Sequence, residues 1–329
     1  MKKIIYSMPD QILDAITLIP EISLKKKEFN KVLICGMGGS GISGEILKAI
    51  YPTIQIISNK DYSVPEYIDI HTLAILVSYS GNTEETLNNY RLLSKRKTEM
   101  AIISSNGKLL KKKGELKIKI PGGLPPRGAI GYLFAPLPFI LYKFHLINNT
   151  PEQKLISLAR FLKKTRDTIE KKAKILSKKL LNRLPIIYSN SQTFLPVARR
   201  WQCQLNENSK VLAHINIIPE MNHNEIVGLG RPEALNSKIS LIFINDPKAH
   251  PRNRTRAKII KEIIKDKFSD VIDIDPEGKN DLHRLFWTIM LGDFISYYVA
   301  IRTNIDPMPV KRIDYLKKRL VGSNLNMLH

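Results

Sequence analysis

Cysteine is scarce: Cys35 and Cys203 are the only two in 329 residues. Two thiols cannot frame a disulfide scaffold, which excludes the small secreted classes and fits a reducing cytosol. Cys35 lies in an apolar run and reads as a packed side chain. Also missing is a long apolar stretch free of charge. The most apolar helical pattern, 285–301, carries Asp293 in its middle, so it reads as a buried core helix and not a membrane span. The first residues begin like a signal peptide, but Pro9, Asp10 and Asp14 interrupt the run. No targeting segment is expected, and the predicted compartment is the cytoplasm.

Acidic residues are few, 30 against 52 Lys and Arg, giving a formal net charge of +22. Such an excess raises nucleic-acid binding as one reading. The lysine runs at 25–27, 111–113, 163–164 and 171–172 are scattered, however, with no interleaved aromatics. They read as solvated faces, and no nucleic-acid partner is expected. A positive field would also draw in a small dianion. Hydrophobic residues make up 43% of the chain, enough for two domains or one large one.

What stands out is the turn Gly36–Met37–Gly38–Gly39–Ser40–Gly41–Ile42–Ser43–Gly44. The apolar run Lys31–Cys35 precedes it as a strand, and a helix over 43–50 follows. Strand, glycine turn and helix place free N–H groups and a positive dipole end against an anion. Gly36, Gly38 and Gly41 also satisfy G-x-G-x-x-G, with Asp61 about twenty positions on, so a dinucleotide stays open as an alternative. A second unusual turn, Ser78–Tyr79–Ser80–Gly81–Asn82–Thr83, follows the apolar strand 73–77. Asn82 or Thr83 would cap the next helix. Ser78, Ser80 and Thr83 add hydroxyls there, which suits a phosphomonoester better than a dinucleotide.

The rest of the chain reads as α/β throughout. A helical pattern covers 9–29, broken at Pro20, and strands are expected at 54–58, 100–104 and 116–120, completing a five-stranded sheet. The loop 121–129, stiffened by three prolines, presents Arg127 ahead of an apolar helix over 130–145. A fixed guanidinium can stabilise an oxyanion, or it can cap a neighbouring helix. A Lys-rich helical stretch, 148–182, leads to a second α/β half with strands 184–189, 239–244 and 271–274. Its helices are expected at 194–206, 254–266, 282–301 and 311–320. The expected division is 1–150 and 151–329.

Taken together, Gly36–Gly44 and Ser78–Thr86 resemble the sugar isomerase (SIS) domain, which binds phosphosugars. Four further stretches, 125–128, 205–210, 219–225 and 306–313, make the whole chain similar to the archaeal-type bifunctional phosphoglucose/phosphomannose isomerases. The resemblance implies two SIS-type domains, each a parallel sheet flanked by helices. It implies a homodimer with shared active sites, and reversible conversion of glucose 6-phosphate and mannose 6-phosphate to fructose 6-phosphate. It implies no metal and no cofactor. Carried onto matching positions, Glu207 would be the base between C1 and C2, and Arg127 would stabilise the enediolate. His223, from the other subunit, and Lys311 would assist ring opening. Gly38, Gly39, Ser40, Ser78, Ser80 and Thr83 would hold the phosphate.

The chemistry asks for such a set. Ring opening gives a proton to O5 and takes one from the C1 hydroxyl, a task for His or Lys. A carboxylate then removes the C2 proton, and a fixed cation meets the charge that spreads over O1 and O2. Each residue also has a plainer reading. Glu207 could be a solvated helix end, His223 an ordinary helix-start histidine and Lys311 one lysine among many, while Glu220 and Glu225 are competing carboxylates. Two other functions stay open: a non-catalytic phosphosugar sensor, for which no helix-turn-helix pattern is found, and an aminosugar phosphate isomerase.

Overall fold

The computed structural model describes residues 1–268 and 270–322. Strands β1 (Lys31–Cys35), β2 (Ile56–Asn59), β3 (Thr72–Ser78), β4 (Glu99–Ser104) and β5 (Leu116–Lys119) form one sheet in the order β2-β1-β3-β4-β5. Strands β6 (Leu184–Ser189), β7 (His214–Ile217), β8 (Ile239–Ile244) and β9 (Asp270–Ile274) form a second, in the order β7-β6-β8-β9. Every pairing is parallel. Parallel sheets are covered on both faces, so their strands run apolar without alternation, as β3 does with all seven residues buried.

Side chains of one strand alternate between two cores. Val32 and Ile34 point into a large central core, Leu33 and Cys35 into an outer one beneath helix Glu84–Lys95. In the second sheet Ile187, Ile242 and Ile244 face the same central core. Ile186, Tyr188 and Phe243 face an outer one beneath helix Pro251–Ile263. The central layer holds helices Met8–Thr17, Gly38–Ile50, Glu152–Lys178, Leu195–Gln204 and Asp281–Arg302. The last is buried along most of its length and mostly apolar, as a helix enclosed on nearly every side must be. Trp287, Phe286 and Phe294, expected in the core with Tyr297, are buried there, while Tyr297 is only partly buried against the same core.

Several boundaries differ from expectation. Helix Gly38–Ile50 starts five residues early, inside the glycine turn, because tertiary packing overrides the poor helix propensity of glycine. The first helical stretch ends at Thr17, and no helix covers 21–29. The apolar helix over 130–145 is two pieces, Ile130–Phe134 and Pro136–Lys143, divided where Pro136 cannot donate. Strand β7 was not anticipated: its four residues carry only two apolar side chains, Ile215 and Ile217.

Candidate active site

The glycine turn and the serine turn leave neighbouring strands, since β1 pairs with β3 and Cys35 lies opposite Leu76. Both therefore open at the carboxyl end of the first sheet, where α/β proteins bind ligands. Gly38 and Gly39 start the helix, and the N–H groups of Ser40 and Gly41 close onto the Met37 carbonyl at 3.0 and 3.2 Å. Buried Ser40 accepts at Oγ from the Tyr79 N–H at 3.4 Å, which ties the two turns together. Ser78 Oγ lies 2.8 Å from Thr83 Oγ1 and accepts from the Gly81 N–H at 3.1 Å. Ser80 is exposed, its Oγ accepting from the Asn82 N–H at 3.3 Å. Gly81 has φ +66°, and a Cβ there would lie 1.7 Å from the Asn106 carbonyl oxygen, so this turn requires glycine.

Two expectations are corrected here. Thr83 stands at the N-cap of helix Glu84–Lys95 but makes no capping bond; its hydroxyl is committed to Ser78. Asn82 Oδ1 accepts instead from the Lys108 N–H at 3.0 Å. The dinucleotide alternative gains nothing from Asp61, whose carboxylate closes its own turn on the Tyr62 N–H and Ser63 Oγ.

The proline-framed loop joins these turns. A Cβ on Gly39 would sit 3.0 Å from the Pro126 carbonyl oxygen, and the Leu124 N–H donates to Tyr79 Oη at 3.0 Å. Arg127, in the short 3-10 turn Pro126–Gly128, is 5% exposed. Among the described residues it caps no helix end. Its Nε donates to Asn208 Oδ1 at 2.7 Å, and its Nη2 to the Pro307 and Met308 carbonyls at 2.6 and 2.9 Å. The remaining nitrogen, Nη1, lies 3.6 Å from Glu207 Oε2. Burial pushes the guanidinium below its ordinary value, and Glu207 pulls it the other way.

Glu207 sits in a π-helical turn, Leu205–Ser209, that follows helix Leu195–Gln204. The wider turn is a recurrent feature of functional sites. It ends at Lys210, whose backbone is left-handed (φ +58°), with Nζ donating back to the Glu207 carbonyl at 2.5 Å. Burial, then Arg127, lowers the Lys210 ammonium below its usual range. Thus the stretches 125–128, 205–210 and 306–308, far apart in sequence, meet on one guanidinium.

Two other candidates lie elsewhere on the chain. Lys311 is exposed, three residues beyond Met308, and opens helix Lys311–Gly322. His223 is exposed at the end of the turn Glu220–His223, which follows edge strand β7. Among the described residues, no bond joins His223 to Arg127 or Glu207. The competing carboxylate Glu225 is fully engaged: it accepts from Tyr188 Oη at 2.6 Å, His214 Nε2 at 3.2 Å and Asn216 Nδ2. Burial would raise it, but those donors hold it below the ordinary carboxylate range. Glu220 accepts from Asn224 Nδ2 at 3.0 Å. Among the described residues no cluster of three or more His, Cys, Asp or Glu is arranged to hold a metal ion.

Sequence reasoning passed over the layer beneath. Asn208 is fully buried and bridges Arg127 to Ser296 Oγ, 3.0 Å away. Arg200 and Asp293, each 2% exposed, form a bidentate ion pair with bonds of 3.0 and 2.7 Å. The signal was present, since an acid stands alone in an apolar helix and calls for a buried partner.

The sequence of this chain is 41% identical to the bifunctional phosphoglucose/phosphomannose isomerase of Caldicellulosiruptor bescii, covering 96% of this chain and 97% of that protein. The chain belongs to the bifunctional phosphoglucose/phosphomannose isomerase family. The enzyme of that name from Aquifex aeolicus is 33% identical over 89% of this chain and 91% of its own. Residues 169–320 match the bacterial phospho-glucose isomerase C-terminal SIS domain. A D-glucosamine-6-phosphate 4-epimerase from Sulfolobus acidocaldarius is 30% identical over 61% of this chain and 64% of its own. Among solved structures, the C-terminal domain of glucosamine-fructose-6-phosphate aminotransferase from Francisella tularensis superposes with TM-score 0.71 at 16% identity, covering 93% of this chain and 96% of that one. Tagatose-6-phosphate ketose/aldose isomerase from Escherichia coli gives 0.67 at 14%, covering 92% and 87%. At such identities the superpositions establish a shared fold. Among the described residues no helix is long and apolar enough to cross a membrane.

Proposed function

We propose that this protein interconverts glucose 6-phosphate and mannose 6-phosphate with fructose 6-phosphate through a cis-enediolate. Residues 1–150 and 151–329 are its two domains, and it works as a cytoplasmic homodimer in carbohydrate metabolism. The observation that carries the reading is the pair Arg127 Nη1–Glu207 Oε2, at the meeting point of the family's stretches and beside the glycine turn.

In this reading the backbone at Gly38 and Gly39 and the hydroxyls of Ser40, Ser78, Ser80 and Thr83 grip the phosphate. All four of these hydroxyls are already held by one another or by backbone N–H groups, so little ordering remains to be done on binding. The sugar extends toward Glu207, which takes the C2 proton and returns it to C1. Arg127 has its Nε and Nη2 occupied by protein, so Nη1 is the face it offers to the enediolate oxygens. Lys311 and the other subunit's copy of His223 open the ring.

A coupled assay on both hexose 6-phosphates, with chelator present, tests the activity. Glu207→Gln is expected to bind fructose 6-phosphate normally while turnover falls about 10²- to 10⁴-fold, the range for loss of a general base. Normal turnover in that variant would remove Glu207 from the base role. The similarity to an aminosugar phosphate epimerase over part of the chain supports a second reading, an aminosugar phosphate substrate. Glucosamine 6-phosphate in the same assay panel decides between them.

A further inference from the structure

Arg200 and Asp293 lie wholly inside the protein, and their burial is costly. Taking two charges out of water costs several kcal/mol per ion, and such pairs are often replaceable by apolar side chains without loss of stability. What the pair touches gives it a reason to exist. Arg200 Nη2 donates both to Asp293 Oδ2 at 2.7 Å and to the carbonyl of Arg127 at 2.9 Å. Gln204 Nε2 donates to Asp293 Oδ1 at 2.8 Å. One helical turn on, Ser296 Oγ donates to the Asp293 carbonyl at 2.8 Å and accepts from Asn208 Nδ2 at 3.0 Å. Asn208 Oδ1 then takes the Nε proton of Arg127. The bonds form a closed circuit that leaves Arg127 at its carbonyl and returns to its guanidinium.

We propose that Arg200 and Asp293 are positioning residues that fix the backbone and guanidinium of Arg127 and, through Asn208, the turn carrying Glu207. The effect on turnover rests on the isomerase reading above; the effect on Arg127 does not. Arg127 comes from the first half of the chain, whereas Arg200, Asn208, Asp293 and Ser296 come from the second. The circuit therefore sets the register between a loop of one half and two helices of the other. Reacting groups held to within a fraction of an ångström react faster, and a misplacement of about 1 Å can cost about 10²-fold.

The full-length protein tests this with two variants: Asp293→Asn, which keeps the shape and removes the charge, and the double variant Arg200→Met/Asp293→Leu. The first readout is solvent exchange of the Arg127 Nε–H, followed by NMR in arginine-labelled protein and assigned by its loss in Arg127→Lys. Exchange about tenfold faster or more is expected in both variants, because the bond then opens locally. The second readout is steady-state kinetics on fructose 6-phosphate. The double variant is expected to melt near the parent while kcat falls about 10²-fold and KM stays within about threefold. Parental Nε–H exchange in Asp293→Asn would overturn the proposal. So would a double variant that recovers both stability and kcat, since the pair would then be structural only. If the unmodified chain does not isomerise hexose phosphates, the functional reading falls, and Nε–H exchange alone still decides whether the pair holds Arg127.

Discussion

Arg127 is the residue on which distant parts of the chain agree, and its chemistry explains why lysine could not replace it. A guanidinium offers five donors in a rigid plane, so it can bind Asn208 and two carbonyls on one side while directing Nη1 to Glu207 on the other. An ammonium is a single point with three rotatable donors. Arg127→Lys is expected to leave the Pro307 and Met308 carbonyls and Asn208 Oδ1 short of donors, at about 1–3 kcal/mol for a buried group left unpaired. Turnover should fall about 10²- to 10³-fold, as when one fixed donor to an oxyanion is removed. Urea titration and initial rates check the two effects separately. A variant that loses stability but keeps parental kcat would show that Arg127 ties loops together and does not face the reaction.

At the level of elements, two contacts govern how the central helices sit. Helices Leu195–Gln204 and Asp281–Arg302 touch where Trp201 lies over Gly292. A Cβ at 292 would fall 2.1 Å from Trp201 Nε1, which itself donates to the Thr288 carbonyl at 2.8 Å. Gly292→Ala is therefore expected to lower stability by about 1–3 kcal/mol through overpacking, read as a shift in thermal midpoint. The second contact is Glu170 on helix Glu152–Lys178, which accepts from Tyr6 and Tyr298 and pairs with Lys2. Burial alone would raise its carboxyl, but Lys2 and the two tyrosines outweigh it and bring it from 4.5 down to about 2. The unfolded chain therefore takes up this proton first as the pH falls. The stabilisation is complete above about pH 5 and is lost between there and about pH 2, amounting to about 3 kcal/mol at most. Glu170→Gln should flatten that part of the stability–pH curve, and an unchanged acid limb would contradict the linkage.

These contacts also mark what could be read from sequence. Strands such as Thr72–Ser78 were legible because a strand buried on both faces is apolar throughout. The glycine and serine turns were legible because their residue types are rare in combination. Arg127 stood out in its proline-stiffened loop, though that loop left a helix cap open as well, and Glu207 came from resemblance, since spacing alone would have left it open. Asn208, Arg200, Gln204 and Ser296 were not visible, because each acts through a partner 73 to 93 residues away, as the separations of their bonds show. Long-range pairing has no local period to betray it. The π-helical turn was missed because a single extra residue in a helix leaves the apolar pattern nearly intact.

For the whole molecule, the proposed part of His223 in ring opening raises the question of how it would reach a substrate held at Arg127 and Glu207. Within one chain it is exposed on a turn beyond edge strand β7, and among the described residues nothing bonds it to that pair. If a twofold dimer shares its sites, each site takes Glu207 from one subunit and His223 from the other. Glu207→Gln and His223→Ala proteins would then each be nearly inactive alone. Unfolded together in equal amounts and refolded, they would form hybrids as about half of all dimers. Each hybrid has one site with both defects and one with neither. The mixture should thus recover about one quarter of parental activity, all of it in the hybrid fraction, because closed dimers assort by the symmetry of the interface alone. Site-shared catalysis requires this gain on mixing. If each subunit completed its own site, every site would carry one defect whatever its neighbour, and mixing would return only the average of the two parents. Separating the hybrid by a charge tag and measuring its rate distinguishes the two outcomes.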